Sequence, residues 1–156
     1  MTEIDKDNLT EIDKDKLIAD PGVLRAFNDD IVTKFRANGG KEVPGFGDML
    51  LLLTTTGAKS GQPRLSPLAF LDLDGRKIIF GSYAGAPKHP AWVHNLRANP
   101  QARVEVGADS YDVIARELPT AERDEVLPAL IAIAPVFTEY QAKTSRIIPL
   151  FELTRA

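Results

Sequence analysis

Between two runs of aliphatic and β-branched residues lies Gly57-Ala58-Lys59-Ser60-Gly61-Gln62-Pro63, which sets a lysine and a hydroxyl between two glycines. Glycine lets a backbone approach a ligand closely and take positive φ, so that neighbouring N–H groups converge on an anion. Lys59 adds a point charge and Ser60 a hydroxyl donor, making the segment a candidate cradle for a phosphate or carboxylate. It is not a nucleotide P-loop, because Ala58 rather than glycine precedes Lys59 and Gln62-Pro63 leads back into a strand, not a helix. Turn chemistry alone would also explain these residues as a solvated hairpin turn.

The other reactive side chains offer little chemistry of their own. Cysteine is absent from the sequence, which excludes thiol nucleophiles, disulfides and thiolate metal sites. His89 and His94 are the two histidines; they do not share a helix face and no acidic residue lies between them. A metal centre needs three or four convergent ligands, so none is expected. The Gly-x-Ser-x-Gly pattern of a hydrolase nucleophile does not occur. Acidic residues are scattered over the termini, the loops and the late helix, where they read as solvated faces rather than an acid/base pair. If the protein is an enzyme, the hard chemistry belongs to a cofactor that the chain binds and orients. A net charge of −3 gives no footprint for nucleic acid.

The elements that must position this loop follow from patterning. Leu50 to Thr56 reads as a strand, and Arg64 to Leu73 as its hairpin partner with Pro67 inside it. Asp74-Gly75 signals a tight turn into a returning strand, Lys77 to Gly81. A Gly/Pro-rich loop, Ser82 to Pro90, leads to a short helix over Ala91 to Ala98 that sets Trp92, Asn95 and Leu96 on one face. Ala102 to Val106 and Tyr111 to Leu118 pair around Gly107-Ala108-Asp109-Ser110. Thr120 is the predicted cap of a helix over Ala121 to Ala134 interrupted near Pro128, followed by a short helix from Val136 to Lys143. Ile147 to Thr154 is a last strand, with Pro149 marking an edge or bulge.

Upstream, Asp20-Pro21 opens an amphipathic helix with Val23, Leu24, Phe27, Ile31 and Phe35 on one stripe, stopped at Asn38-Gly39-Gly40. Before it, TEIDKDNL at Thr2 to Leu9 is nearly repeated as TEIDKDKL at Thr10 to Leu17, too polar to dock. Residues 1–19 are therefore expected to be a charged, flexible arm, and 20–156 a single domain. At 156 residues, 44% hydrophobic and 26% charged, the chain suits one globular unit with a real core. With no apolar run near the ~20 residues of a membrane span and no signal-peptide pattern, a cytoplasmic protein is expected. About six strands in hairpins and three or four helices, without βαβ alternation, predict an α+β fold: a small antiparallel barrel with peripheral helices.

Two blocks in register, TTTGAKSGQPRLSPL from Thr54 and GSYAGAPKHPAWVHNLRANP from Gly81 to Pro100, resemble the deazaflavin (coenzyme F420)-dependent nitroreductase and F420H2-dependent quinone reductase family of actinobacteria. The likeness runs from about Met49 to the C-terminus. It implies the split β-barrel shared with flavin-mononucleotide-binding oxidases, and coenzyme F420 as cofactor, with no metal. It implies that Ala58, Lys59, Ser60 and Arg64 hold the phosphate and acidic tail. Leu65, Ser66, Pro67, Leu68 and Ala69 would lie along the tricyclic ring, met from the neighbouring strand end by Gly81, Ser82 and Tyr83. Ala91, Trp92, Asn95 and Phe137 would close the pocket.

Where nitroaromatic-reducing relatives tend to carry an arginine or tyrosines, this chain has Ala58, Ala69, Ala134 and Phe137; Tyr140 keeps its hydroxyl. The reading is thus a reductase passing a hydride from reduced F420 to a quinone, enone or nitroaromatic acceptor, with Ser82 and Tyr140 as candidate donors to the acceptor oxygen. Quinones and enones are the favoured acceptors. The alternatives are a non-catalytic deazaflavin carrier and a flavin-mononucleotide reductase of the same fold. A monomer or homodimer is expected, and the resemblance leaves peripheral contact with a membrane open, though the first helix has few basic residues for it.

Overall fold

The structure, a computed structural model, describes residues 21–43 and 46–156. The doubled octad and the Asp20 cap lie outside the described residues. Helix α1 (Pro21–Ala37) is followed by strands β1 (Leu50–Thr56), β2 (Pro63–Ala69), β3 (Leu71–Leu73) and β4 (Arg76–Phe80). A 3₁₀ turn (Tyr83–Gly85), helix α2 (Ala91–Ala98) and strands β5 (Gln101–Val106) and β6 (Asp109–Glu117) come next. Helices α3 (Thr120–Ile133) and α4 (Val136–Ala142) precede β7 (Leu150–Arg155).

The seven strands among the described residues form one sheet in the order β2-β1-β5-β6-β7-β4-β3, and every pairing is antiparallel. Its two edges, β2 and β3, are separated in the chain by Phe70 alone. A sheet whose opposite edges are joined by one residue must curl until they meet, which makes it a half-barrel. The single strand predicted over Arg64 to Leu73 is therefore two: Phe70, buried, donates its N–H to the Met49 carbonyl at 2.9 Å, and beyond it the chain changes partner from β1 to β4.

Side-chain alternation then sorts the core. Leu51 and Leu53 of β1 point into the barrel with Ile79, Val104, Val113, Ala115, Phe151 and Leu153, and α2 adds Trp92, Val93 and Leu96. Leu50 and Leu52 face the other way, onto Ile31 and Phe35 of α1. Continuous burial of the four leucines thus comes from a strand covered on both faces. A third cluster, Leu71, Ile78, Leu118, Val126, Leu130, Phe137, Ile148 and Leu150, lies under α3 and α4.

The predicted stop of α1 holds: Gly39 and Gly40 have φ of 60° and 76°, and the Gly40 N–H bonds the Phe35 carbonyl at 2.8 Å. The Asp74-Gly75 turn has both φ positive, 54° and 86°, as a tight hairpin requires. Two readings of α3 are corrected. Thr120 is already helical and the cap position is Pro119, with no side-chain capping bond. The helix also runs on through Pro128 without interruption; Pro128 and Asp124, whose carbonyl loses its helical donor, are both exposed, so that carbonyl is open to solvent. The last strand begins at Leu150 rather than Ile147, because Pro149 turns its carbonyl aside to the Gly81 N–H at 2.9 Å.

Candidate functional site

The loop after β1 is closed by its own backbone. Gly57 N–H bonds the Gln62 carbonyl at 2.8 Å and Gly61 N–H bonds the Gly57 carbonyl at 2.9 Å. A Cβ on Gly57 would stand 2.5 Å from Ser60 Oγ, so any side chain there would displace the serine hydroxyl. The amides predicted to converge on an anion at Gly57 and Gly61 are thus engaged in building the turn. Ala58 N–H is engaged too, donating to Asn95 Oδ1 at 2.9 Å. What the loop presents outward is Lys59 and Ser60, both exposed, with Arg64 Nη2 within 3.4 Å of Ser60 Oγ.

Several cations elsewhere are held in ion pairs. Arg36 pairs with Glu105 and Arg97 with Glu117, while Arg76 and Arg116 share Glu152 and Arg116 also binds Glu122. Among the described residues neither Lys59 nor Arg64 forms an ion pair.

β2 is an edge strand, so its outer row of backbone groups has no strand partner. The predicted ring-lining residues divide between its two faces. Ser66 and Leu68 pair with Leu53 and Leu51 and share their barrel face, together with Arg64 opposite Thr55. Leu65, Pro67 and Ala69 pair with Thr54, Leu52 and Leu50, on the face covered by α1.

The second half of the site follows β4. Gly81, buried, lies so close to α2 that a Cβ would meet Val93 Cγ2 at 2.7 Å. Ser82 is only 9% exposed, and among the described residues its hydroxyl has no hydrogen-bond partner. Tyr83 takes φ of 48°, a left-handed conformation that costs a non-glycine residue about 1 kcal/mol or more. Behind this turn stands α4: a Cβ on Gly85 would come within 3.0 Å of the Tyr140 carbonyl. Tyr140 itself is half-buried, and Phe137 is in the core, edge-on to Phe80 at 5.8 Å.

One helix ties the two halves together. Asn95 of α2 accepts from Ala58 and donates through Nδ2 to Thr55 Oγ1 at 3.0 Å, and both partners lie at or just beyond the end of β1. Trp92, one turn earlier, packs edge-on to Phe151 at 5.7 Å inside the barrel. Trp92 and Asn95 therefore support the site from within, while Ala91 is exposed at the start of α2.

Sequence reasoning missed Arg146. Its guanidinium donates to the carbonyls of Ala86 (2.9 Å), Gly81 (3.0 Å) and Ser82 (2.7 Å), and Nη1 lies 2.9 Å from His89 Nδ1. Burial pulls its pKa below the ordinary arginine value. His89 is likewise held below the ordinary imidazole value, by burial first and then by Arg146, Arg97 and His94. A neutral ring accepting at Nδ1 is the form this geometry requires. Gln141 braces the same segment, donating to the Arg146 carbonyl at 2.7 Å and accepting from the Ile148 N–H at 3.0 Å. The only local signal was an arginine abutting the apolar run Ile147-Ile148-Pro149-Leu150-Phe151.

A groove of about 460 Å³ borders the outer side of the Lys59 loop, lined by Thr54, Thr56, Gly61, Pro63, Arg103 and Asp112 among others. Lys59, Ser82 and Tyr83 do not line it. Among the described residues no three His, Asp or Glu side chains gather as a metal site. No helix among them is long and apolar enough to cross a membrane.

Comparison with known proteins places this arrangement. An F420H(2)-dependent quinone reductase of Mycobacterium tuberculosis is 39% identical over 121 residues, spanning 74% of this chain and 79% of that protein. A solved F420-H2-dependent reductase superposes with a TM-score of 0.61 at 40% identity, over 67% of this chain and 93% of its own. A chain solved as a domain-swapped dimer gives 0.63 at 34% identity, over 86% and 99%. The curled sheet is the split β-barrel of the flavin-mononucleotide-binding-like fold. Residues 25–155 match the model of the F420H(2)-dependent quinone reductases, and the chain belongs to that family.

Proposed function

We propose that this protein binds reduced F420 between the Lys59 loop and the Ser82–Tyr83 turn and uses it to reduce quinones and related conjugated acceptors. The observation that carries the reading is Ser82: a buried residue whose hydroxyl has no partner among the described residues, mounted on a strained turn that α2 links to a loop whose Lys59, with Arg64 beside it, forms no ion pair among them. A buried hydroxyl left unbonded costs about 1–3 kcal/mol, and a bound molecule with an acceptor atom there relieves it.

The residues fit the cofactor. Its phosphate and acidic tail need cations, which Lys59 and Arg64 supply without competing carboxylates, and Ser60 adds a hydroxyl. The unpaired edge of β2, from Leu65 to Ala69, offers backbone groups to a flat ring, with Pro67 contributing no donor. Gly81, Ser82 and Tyr83 face it from the other strand end. Ala91, Trp92, Asn95 and Phe137 set the walls, the last three from buried positions.

When bound, the reduced deazaflavin supplies a hydride to an electrophilic carbon of the acceptor. The protein's part is to orient the two reactants, exclude water and meet the charge that grows on the acceptor oxygen. Ser82 Oγ–H is the first donor for that oxygen, and Tyr140, on the helix packed behind the turn, is the second. Ala69, Ala134 and Phe137 bring no hydroxyls, so acceptors that need few donors are preferred: quinones and enones over nitroimidazoles. The relative solved as a domain-swapped dimer supports a homodimer.

The test is absorbance of reduced F420 mixed with the protein and a quinone, an enone or a nitroimidazole, with parallel titration of oxidised F420 and flavin mononucleotide. Oxidation of the cofactor at catalytic protein concentration is expected. Tight binding without turnover would make the protein a carrier, and preference for flavin mononucleotide would move it to the other cofactor; either result overturns the proposal.

A further inference from the structure

Arg146 carries a charge that among the described residues no carboxylate neutralises. Instead its donors close on neutral acceptors from one short segment: the carbonyls of Gly81, Ser82 and Ala86 and the His89 ring nitrogen. These carbonyls flank Tyr83, the residue held at φ 48°. The turn's own bonds are two, Gly85 N–H to Ser82 O at 2.9 Å and Ala86 N–H to Tyr83 O at 3.0 Å. Two bonds in a single 3₁₀ turn hold a left-handed tyrosine poorly, because such a conformation persists only when its surroundings over-determine it. A guanidinium fork presents five donors in one rigid plane, which lysine cannot reproduce. The fork is itself held, since Gln141 bonds the Arg146 carbonyl and Gly81 bonds the Pro149 carbonyl.

We infer that Arg146 is a positioning residue for the reductase site: its guanidinium clamps the Gly81–Ala86 turn, keeps Tyr83 left-handed and so aims the Ser82 hydroxyl. The inference rests on the proposed role of Ser82 for its catalytic consequence, but the clamp itself can be read without cofactor.

Two arms test it, with Arg146→Gln, Ser82→Ala and the double variant in the full chain. In the cofactor-free protein, Gly85 and Ala86 amides should exchange with solvent at least about tenfold faster in Arg146→Gln. Val104 and Val113, in the barrel strands, should keep their protection. A merely structural role would raise exchange everywhere or nowhere, and either pattern overturns the clamp. In turnover with reduced F420 and a quinone, each single variant should lower kcat by about tenfold and the double variant by no more, because both changes remove one aimed hydroxyl. Multiplying losses would show that Arg146 does not act through Ser82. If Ser82→Ala alone leaves kcat unchanged, the proposed role of Ser82 fails while the exchange arm still judges the clamp. Should Arg146→Gln not fold, Arg146→Lys, which retains the charge but not the fork, takes its place in both arms with the same criteria.

Discussion

Replacing Asn95 with alanine removes two hydrogen bonds and strands their partners unequally. Thr55, 2% exposed, would keep a hydroxyl with no water to reach it, whereas the Ala58 amide sits on an exposed loop and can turn to solvent. Two net bonds at about 1 kcal/mol each, plus part of the penalty for the buried hydroxyl, give a destabilisation of about 2–3 kcal/mol. For a chain of this size that corresponds to a fall in Tm of roughly 4–12 °C. The loop should loosen with it, so F420 affinity should fall even though Asn95 touches the loop only from below. The assay is denaturant unfolding, read as a shift of midpoint at constant m, with F420 titration under native conditions. A shift equivalent to less than about 0.5 kcal/mol would refute the account, since the bonds would then not be what anchors the loop to α2.

Other outcomes follow from the same geometry. Lys59→Ala should weaken F420 binding by about 1–3 kcal/mol at low salt, with the difference shrinking as salt rises; equal isotherms would return the loop to a solvated turn. Gly40→Ala must force a left-handed residue against the Gly107 backbone, 2.6 Å from its new Cβ, and should cost roughly 2–4 kcal/mol, whereas Gly39→Ala, with open space around it, should cost only about 1 kcal/mol by the same denaturant assay. His89 has its pKa depressed in the fold, so the native state binds fewer protons than the unfolded chain near pH 6. Its contribution to stability should be full above about pH 6.5 and fall as pH drops through the lowered value, and His89→Asn should flatten that part of the stability–pH curve. The ratio of kcat/KM for a quinone over a bicyclic nitroimidazole should exceed one; the reverse order would show that Ala69, Ala134 and Phe137 do not control the choice.

The parts of this site that were legible from sequence are the parts determined by near neighbours. The β1–β2 hairpin, the Asp74-Gly75 turn and the buried face of α2 each follow from residues within one turn or one pleat of each other. The break at Phe70 was not legible, because nothing local says that a strand will exchange β1 for β4; only closure of the sheet requires it. Nor was the continuity of α3 through Pro128, which depends on where the helix meets water.

The candidate loop, Gly57 to Gly61, shows the same divide inside five residues. Two glycines around a lysine suggested amides aimed at an anion, yet Gly57 and Gly61 use those amides on each other's turn and Ala58 gives its own to Asn95, 37 positions away. What remains for an anion is the side-chain charge of Lys59 and Arg64 with the Lys59 and Ser60 amides, which among the described residues make no hydrogen bond, so affinity at this loop should fall as salt rises. Arg146 is the extreme case. Three of its acceptors are backbone carbonyls, which every residue has, so no residue type in the Gly81–Ala86 segment announces that an arginine some 60 positions later will bind it. A carboxylate partner would have left a trace in the sequence as a second charge; a clamp made on carbonyls leaves none. The strained φ at Tyr83 is the one mark of it, and that mark exists only in the folded chain.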